Sequence, residues 1–253
     1  MSKDEKEMTF LGHLSELRIR LLKSLIVLAI CVGVCCIPPV TKGIIDFLKA
    51  PAPEDSFTPI YTEMLGGVSI YFKVALISGI VLALPFLVYQ LIMFVSPALT
   101  RREKRYVYIA LPWITLMFAA GFAFGYYIAM PPAIKFLLTF MSDQATPMPT
   151  INDYLSLAIR FIVAIGLAFE TPVLITFLAR LGVVKPEWLS RHRKWAIVAA
   201  FILAAIITPT FDPINQSIVA CPIIILYEMS IVLARIAYRK RTDAAESTDS
   251  LEE

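Results

Sequence analysis

Four stretches of this sequence, at 21–37, 74–95, 107–130 and 155–178, each run for 17 to 24 residues with almost no charge. A membrane-spanning helix needs roughly 20 apolar residues, and in lipid only helices and closed barrels satisfy every backbone group. Composition agrees: 58% of residues are hydrophobic and 17% charged, with a mean hydropathy of +0.74, against about 25% charge in soluble domains. Lipid is therefore the solvent for much of the chain, and the expected class is all-α and polytopic.

A further apolar tract covers 195–234, but Thr208-Pro209-Thr210-Phe211-Asp212-Pro213 interrupts it, and two prolines flanking an aspartate break a helix. The tract then holds two short spans, five at about 195–208 and six at 214–234. Positive charge marks the cytoplasmic side of a membrane. Eighteen of the 23 Lys and Arg residues fall in four segments: the N-terminal segment, the loops after spans two and four, and the exit from the last span. Successive basic segments on one side need an even number of crossings between them. Six transmembrane helices follow, with both termini cytoplasmic, in one domain over 1–238 and with a disordered acidic tail over 239–253. The N-terminal segment is long, of mixed charge and without a small-residue cleavage site, so it does not read as a removable signal. The outward loops at 38–69 and 131–153 are proline-rich around apolar patches at 44–48 and 134–141, which suits short amphipathic helices on the outer surface. Gly121 and Gly125 have the spacing for close helix approach.

Catalytic patterns are missing. The sequence holds no P-loop, Gly-x-Ser-x-Gly or HExxH. His13 and His192 lie in basic segments, and Cys31, Cys35, Cys36 and Cys221 lack zinc-ligand spacing, so the cysteines read as small buried hydrophobes. The chain binds or moves something rather than transforming it.

Three carboxylates stand out. Glu16, in HLSELRIRLL, has a structural explanation as a surface pair with Arg20 at i,i+4, worth about 0.3–0.5 kcal/mol. Glu103, in SPALTRREKRY, dilutes four like charges. Together they offer two separated carboxylates on cytoplasmic segments, each able to take a guanidinium through two parallel hydrogen bonds. Glu170, in GLAFETPVLITFL, lies well inside span four, where burying an ionised group is expensive. An interhelical hydrogen bond with a hydroxyl such as Thr171 is the structural explanation; a functional polar contact inside the bilayer is the favoured one.

HLSELRIRL, FVSPALTRREKRYV, FETPVLITFLARLGVV and ITPTFDPINQ, in that order from about His13 to Arg235, resemble the TatC family of twin-arginine translocase subunits. The resemblance implies a concave, glove-like bundle in the bacterial cytoplasmic (inner) membrane. It also implies a receptor for twin-arginine signal peptides of folded cargo, which assembles with TatA- and TatB-type single-span partners and with copies of itself. Export would use the proton motive force, with no cofactor and no nucleic acid. The family's signal-recognition glutamates fall on Glu16 and Glu103, and Leu17, Arg18, Phe94, Pro97 and Leu99 lie in the same motifs. The family's intramembrane glutamate falls on Glu170, and Pro51, Pro85 and Asp212 match structural positions. Pro213, directly after Asp212, departs from the family pattern in the last outer turn. The alternative is a proton-coupled small-solute transporter using Glu170, a class that often shows paired repeats; no second half of this sequence resembles the first. A structural membrane anchor or insertase ranks third.

Overall fold

The structure, a computed structural model, describes residues 10–52, 60, 62–95, 101–140, 144, 148–208 and 212–249. For Phe10, Leu11, His13, Val95, 101–110 and 240–249 it describes the backbone alone. The described chain is helical, as the apolar runs require. Helix α1 (Phe10–Cys35) stops where Pro38 and Pro39 withhold their backbone donors, and α2 (Pro38–Lys49) restarts at 81° to it with those prolines in its first turn. Helix α3 (Gly66–Val95) returns through an internal Pro85. Helix α4 (Arg101–Phe124) widens into a π-helical turn (Gly125–Ala129) just ahead of Pro131 and Pro132, and α5 (Met130–Thr139) continues from it. Helices α6 (Ile151–Phe169) and α7 (Thr171–Leu181) meet at a break on Glu170. The short α8 (Pro186–Arg191) leads into α9 (Arg193–Ile207) and then α10 (Pro213–Asp249). Four of the sequence's basic segments gather where α1 begins and α3 ends, here called the basic end. The opposite, proline-rich end carries α2 and a single β-bridge between Ile60 and Thr150.

Among the described residues, four stretches are long and apolar enough to cross a bilayer: Gly66–Phe94, Leu111–Thr139, Ile151–Leu181 and Pro213–Arg239. A fifth arises if bent α1 and α2 count together. Helix α9, where a short fifth span is expected, is not among these stretches: its fifteen residues cover roughly 22 Å against a hydrocarbon core near 30 Å. Span six is not short. Helix α10 has 37 residues and absorbs Pro222 without breaking. It also runs on as far as Asp249, through most of the stretch from 239 expected to be disordered. Extending an existing helix avoids the cost of nucleation, and Arg, Lys, Ala and Glu in RKRTDAAE favour helix. Residues 250–253 lie outside the described set.

Helix α6 is the centre of the bundle and packs against α2, α3, α4, α9 and α10. It is buried on most of its circumference, with Leu155, Ala158, Phe161, Ile162 and Ile165 in the main core. Close helix approach depends on Gly79 and Gly121. A side chain at Gly79 would place its Cβ 2.5 Å from the Val32 Cα, so α1 and α3 touch backbone to backbone there. At Gly121 a Cβ would meet Phe169 at 2.8 Å and the Gly166 backbone at 3.1 Å. Gly125, the second glycine of the motif, has only ordinary contacts from 3.5 Å.

The helix ends at the proline-rich end present carbonyls that side-chain hydroxyls bond. Thr41 Oγ1 donates to the Cys35 carbonyl and the Tyr71 hydroxyl to that of Cys36, both at 2.5 Å. At the end of α2 the Tyr126 hydroxyl donates to the Phe47 carbonyl at 2.6 Å and that of Tyr154 to Leu48 at 2.8 Å. The Phe47 ring stacks on Tyr126 at 4.2 Å between centroids. The π turn thus sets Tyr126 against α2.

Gly79→Val should lower the thermal unfolding midpoint of the detergent-solubilised protein, by the equivalent of about 1–3 kcal/mol expected for overpacking. Gly125→Ala should leave the midpoint nearly unchanged. Equal effects from both would show that the α1–α3 approach is not tight.

Candidate functional site

At the basic end, Glu16, Leu17 and Arg18 lie near the start of α1 and Phe94 at the end of α3. The two helices run antiparallel, so these positions share one end of the bundle. Arg20 binds Glu16 in the same helix through Nε at 2.9 Å, and its Nη2 also reaches Glu16 Oε1. The same guanidinium donates from Nη1 to Gln90 Oε1 of α3 at 3.4 Å. Sequence spacing foresaw the Glu16–Arg20 pair but not Gln90, which is 8% exposed. The available signal was a lone amide inside the apolar run YQLIMFV.

The pair leaves Glu16 incompletely satisfied. Its side chain is 17% exposed, and Oε2 is buried without a hydrogen-bond partner among the described residues. Leu17 and Arg18 are exposed beside it, and Phe94 is half-buried. Glu103 lies in the first turn of α4, where only the backbone is described; Pro97 and Leu99 lie outside the described residues.

Glu170 occupies the joint between α6 and α7. Its backbone N–H donates to the Leu167 carbonyl at 3.1 Å, and its carbonyl accepts from Leu174 at 3.0 Å. Pro172 supplies no donor in the first turn of α7, so the helix divides at this residue. The carboxyl is 1% exposed, and neither oxygen has a partner among the described residues. The expected bond to a hydroxyl such as Thr171 is absent there. A buried polar group left unpaired costs about 1–3 kcal/mol.

The remaining expected residues are architectural. Asp212 Oδ1 and Oδ2 accept from the backbone N–H groups of Ile214 and Asn215 at 3.2 and 3.1 Å, which caps α10. Pro213 then takes the first helical position, where a missing N–H is harmless, so its departure from the family pattern fits the turn. Gln216 Nε2 ties the α9–α10 hairpin by donating to the Phe201 carbonyl at 2.9 Å. Pro51 follows α2, and Pro85 lines an apolar cavity of about 550 Å³ among α1, α2, α3, α4 and α6. Among the described residues, no group of three His, Cys, Asp or Glu side chains could hold a metal.

A bundle of long apolar helices with an unpaired carboxyl at an intramembrane joint defines a multi-pass helical membrane protein with polar sites in and beside the bilayer. Comparison with known proteins narrows the class. A model of the Sec-independent protein translocase protein (TatC) family matches residues 12–222. The Sec-independent protein translocase protein TatC of Desulforapulum autotrophicum is 40% identical over 98% of this chain and 94% of its own length. That of Aquifex aeolicus is 38% identical over 91% and 96%. A crystal structure of the twin-arginine translocase receptor TatC superposes with a TM-score of 0.76 at 37% identity, covering 89% of this chain and 99% of the other. The chain belongs to the TatC family, whose members are protein translocase components rather than enzymes.

Replacing Glu170 with Met keeps the volume and removes the unpaired carboxyl. The isolated protein should become more stable by about 1–3 kcal/mol, read as a higher unfolding midpoint in detergent. A lower midpoint would mean that the carboxyl has a partner in the folded protein.

Proposed function

We propose that this chain is the signal-peptide receptor and core subunit of a twin-arginine translocase, holding twin-arginine signal peptides at the cytoplasmic face of the bacterial inner membrane. The observation that carries the reading is Glu16: one carboxylate oxygen engaged by Arg20, the other buried and unpaired, in a chain whose solved relative is described as a twin-arginine translocase receptor. An arriving guanidinium takes such a carboxylate through two charge-assisted hydrogen bonds. Arg20 need not be stranded when displaced, because Gln90 already accepts from it. Glu103 is the second acceptor. Residues 96–100 connect α3 to α4 at this end, and five residues reach at most about 18 Å, so two arginines of one short motif suit both carboxylates. Leu17, Arg18 and Phe94 lie at the Glu16 end of the bundle, and the reading assigns Pro97 and Leu99 to the same site.

Glu170 serves the second half of the reading, meeting polar groups on TatA- and TatB-type single-span helices within the bilayer. A polar residue deep in a membrane marks a functional contact by default, and its two unpaired oxygens leave that contact open. Assembly with copies of this chain, and export of folded cargo by the proton motive force, complete the proposal. Six crossings with both termini cytoplasmic fit the basic segments. For α9 the support is its surface: Ile197, Val198, Phe201, Ile202, Leu203 and Ile206 are all exposed, which suits lipid or an apolar partner helix. The relatives described above lend no support to a proton-coupled solute transporter.

A twin-arginine signal peptide carrying a photo-crosslinker should label the purified protein near Glu16 and Glu103. Labelling should fall to background with a Lys-Lys peptide, which lacks the planar fork, and with the Glu16→Ala, Glu103→Ala protein. Equal labelling in all three arms would refute the receptor assignment.

A further inference from the structure

Topology leaves little use for positive charge at the proline-rich end, yet Lys73 and Arg160 sit within apolar spans on that side. Lys73 is in the second turn of α3 and Arg160 in the third of α6. Lys73 Nζ donates to Asn152 Oδ1 at 2.6 Å and to Ser156 Oγ at 3.1 Å. Both acceptors are neutral, so the charge is uncompensated, and an ammonium has a third donor to give. Arg160 is exposed and makes no hydrogen bond or ion pair with any described residue. Asn152, Ser156 and Arg160 recur at i,i+4 spacing, which puts them on one stripe of α6.

Arg160 and Ser156 also line a groove of about 290 Å³ between α5 and α6, walled by Ile134, Leu137, Leu138 and Leu157. The acid in the groove is Asp153, whose Oδ2 accepts from the Thr150 hydroxyl at 2.6 Å, at the start of α6. Depth identifies the ligand. The 31-residue stretch containing α6 is roughly 46 Å long, some 16 Å more than a hydrocarbon core. Centred in the bilayer, it puts Arg160 about 6 Å inside the boundary and within reach of the headgroups by snorkelling. The same reckoning for the 29-residue α3 stretch puts Lys73 about 4 Å inside. Both cations reach phosphate level. The groove is too small for a partner helix, which is about 10 Å across, but takes a hydrocarbon chain.

We infer that the α5–α6 groove binds an anionic phospholipid of the outer leaflet, with its phosphate on Arg160 and Lys73 and an acyl chain against Leu137, Leu138 and Leu157. The site lies at the opposite end of the bundle from Glu16 and stands whether or not the receptor reading holds. Such a lipid would neutralise two charges that otherwise oppose the orientation of the chain and would clamp α3 to α6 beside the Ile60–Thr150 bridge.

Native mass spectrometry of the full chain, released from micelles containing equal phosphatidylglycerol and phosphatidylcholine, tests this. Wild type should retain phosphatidylglycerol preferentially. Lys73→Gln with Arg160→Gln should lower that preference about thirtyfold, the scale set by about 1 kcal/mol for each of two cations near a headgroup surface. Arg160→Lys should keep most of it, and unfolding midpoints will show whether each variant is folded. A preference unchanged within twofold in a folded double variant overturns the proposal. So does equal retention of both lipids by wild type, and so does displacement of the bound lipid by millimolar inorganic phosphate, which would make the ligand a free anion. If the double variant fails to fold, the folded Arg160→Gln variant decides by the same twofold criterion.

Discussion

Inside a bilayer a backbone carbonyl without a partner has no water to fall back on, and the architecture of this protein follows from how each such group is satisfied. Long helices solve the problem along their length but not at their ends. Where α1 ends at Cys35 and α2 ends at Lys49, four side-chain hydroxyls from Thr41, Tyr71, Tyr126 and Tyr154 bond four carbonyls. Tyr227 does the same for Leu189 at the end of α8, at 2.9 Å. These bonds also fix tertiary placement, because three of the four hydroxyls at the α1–α2 corner come from helices distant in sequence. The 81° corner is thereby held between α3, the π turn and α6. Helix termination and helix packing are one problem at this end of the molecule.

The apolar runs made the helices legible, and the prolines made most of the breaks legible. Hydropathy reports which solvent a segment prefers, and Pro38, Pro39 and Pro213 act through local chemistry that any context would preserve. What escaped the sequence was tertiary. The closest helix approach involves Gly79, which lies in no motif; Gly121 and Gly125 formed the visible motif, and only Gly121 is tightly met. Apolar residues end near 234 and make span six look short, whereas α10 continues through polar residues to Asp249. The candidate site divides in the same way. The Glu16–Arg20 pair follows from an i,i+4 spacing, but Gln90 joins it only because α1 and α3 pack in one particular register.

The two described carboxylates of interest have opposite environments. Glu16 lies near the end of the bundle, largely buried at 17% exposed but with a guanidinium bound. Glu170 sits in the interior with no partner among the described residues, and the helix itself is interrupted there, with Pro172 withholding a backbone donor. Natural interiors rarely keep an unpaired polar group without a reason. Its tolerance at this place has a physical basis. The surrounding helices are locked by glycine contacts at Gly121 and Gly166 and by the aromatic pair Phe124 and Phe169 at 5.9 Å, so the local cost is carried by a rigid neighbourhood rather than relieved by rearrangement.

That rigidity has a directional consequence. A free-energy cost stored at one joint can be released only by something that reaches the joint, where α4 packs on α6 through Gly121 and Phe169 and α10 packs along α7. Helix α9, which pairs with α10, is too short to cover the thickness of the hydrocarbon core and shows an almost wholly apolar exterior. On the proposed reading a single-span helix meets Glu170 only where the bundle opens, because the carboxyl is 1% exposed. The unpaired carboxyl and the interrupted helix, on that reading, leave one polar interaction for a partner helix to complete.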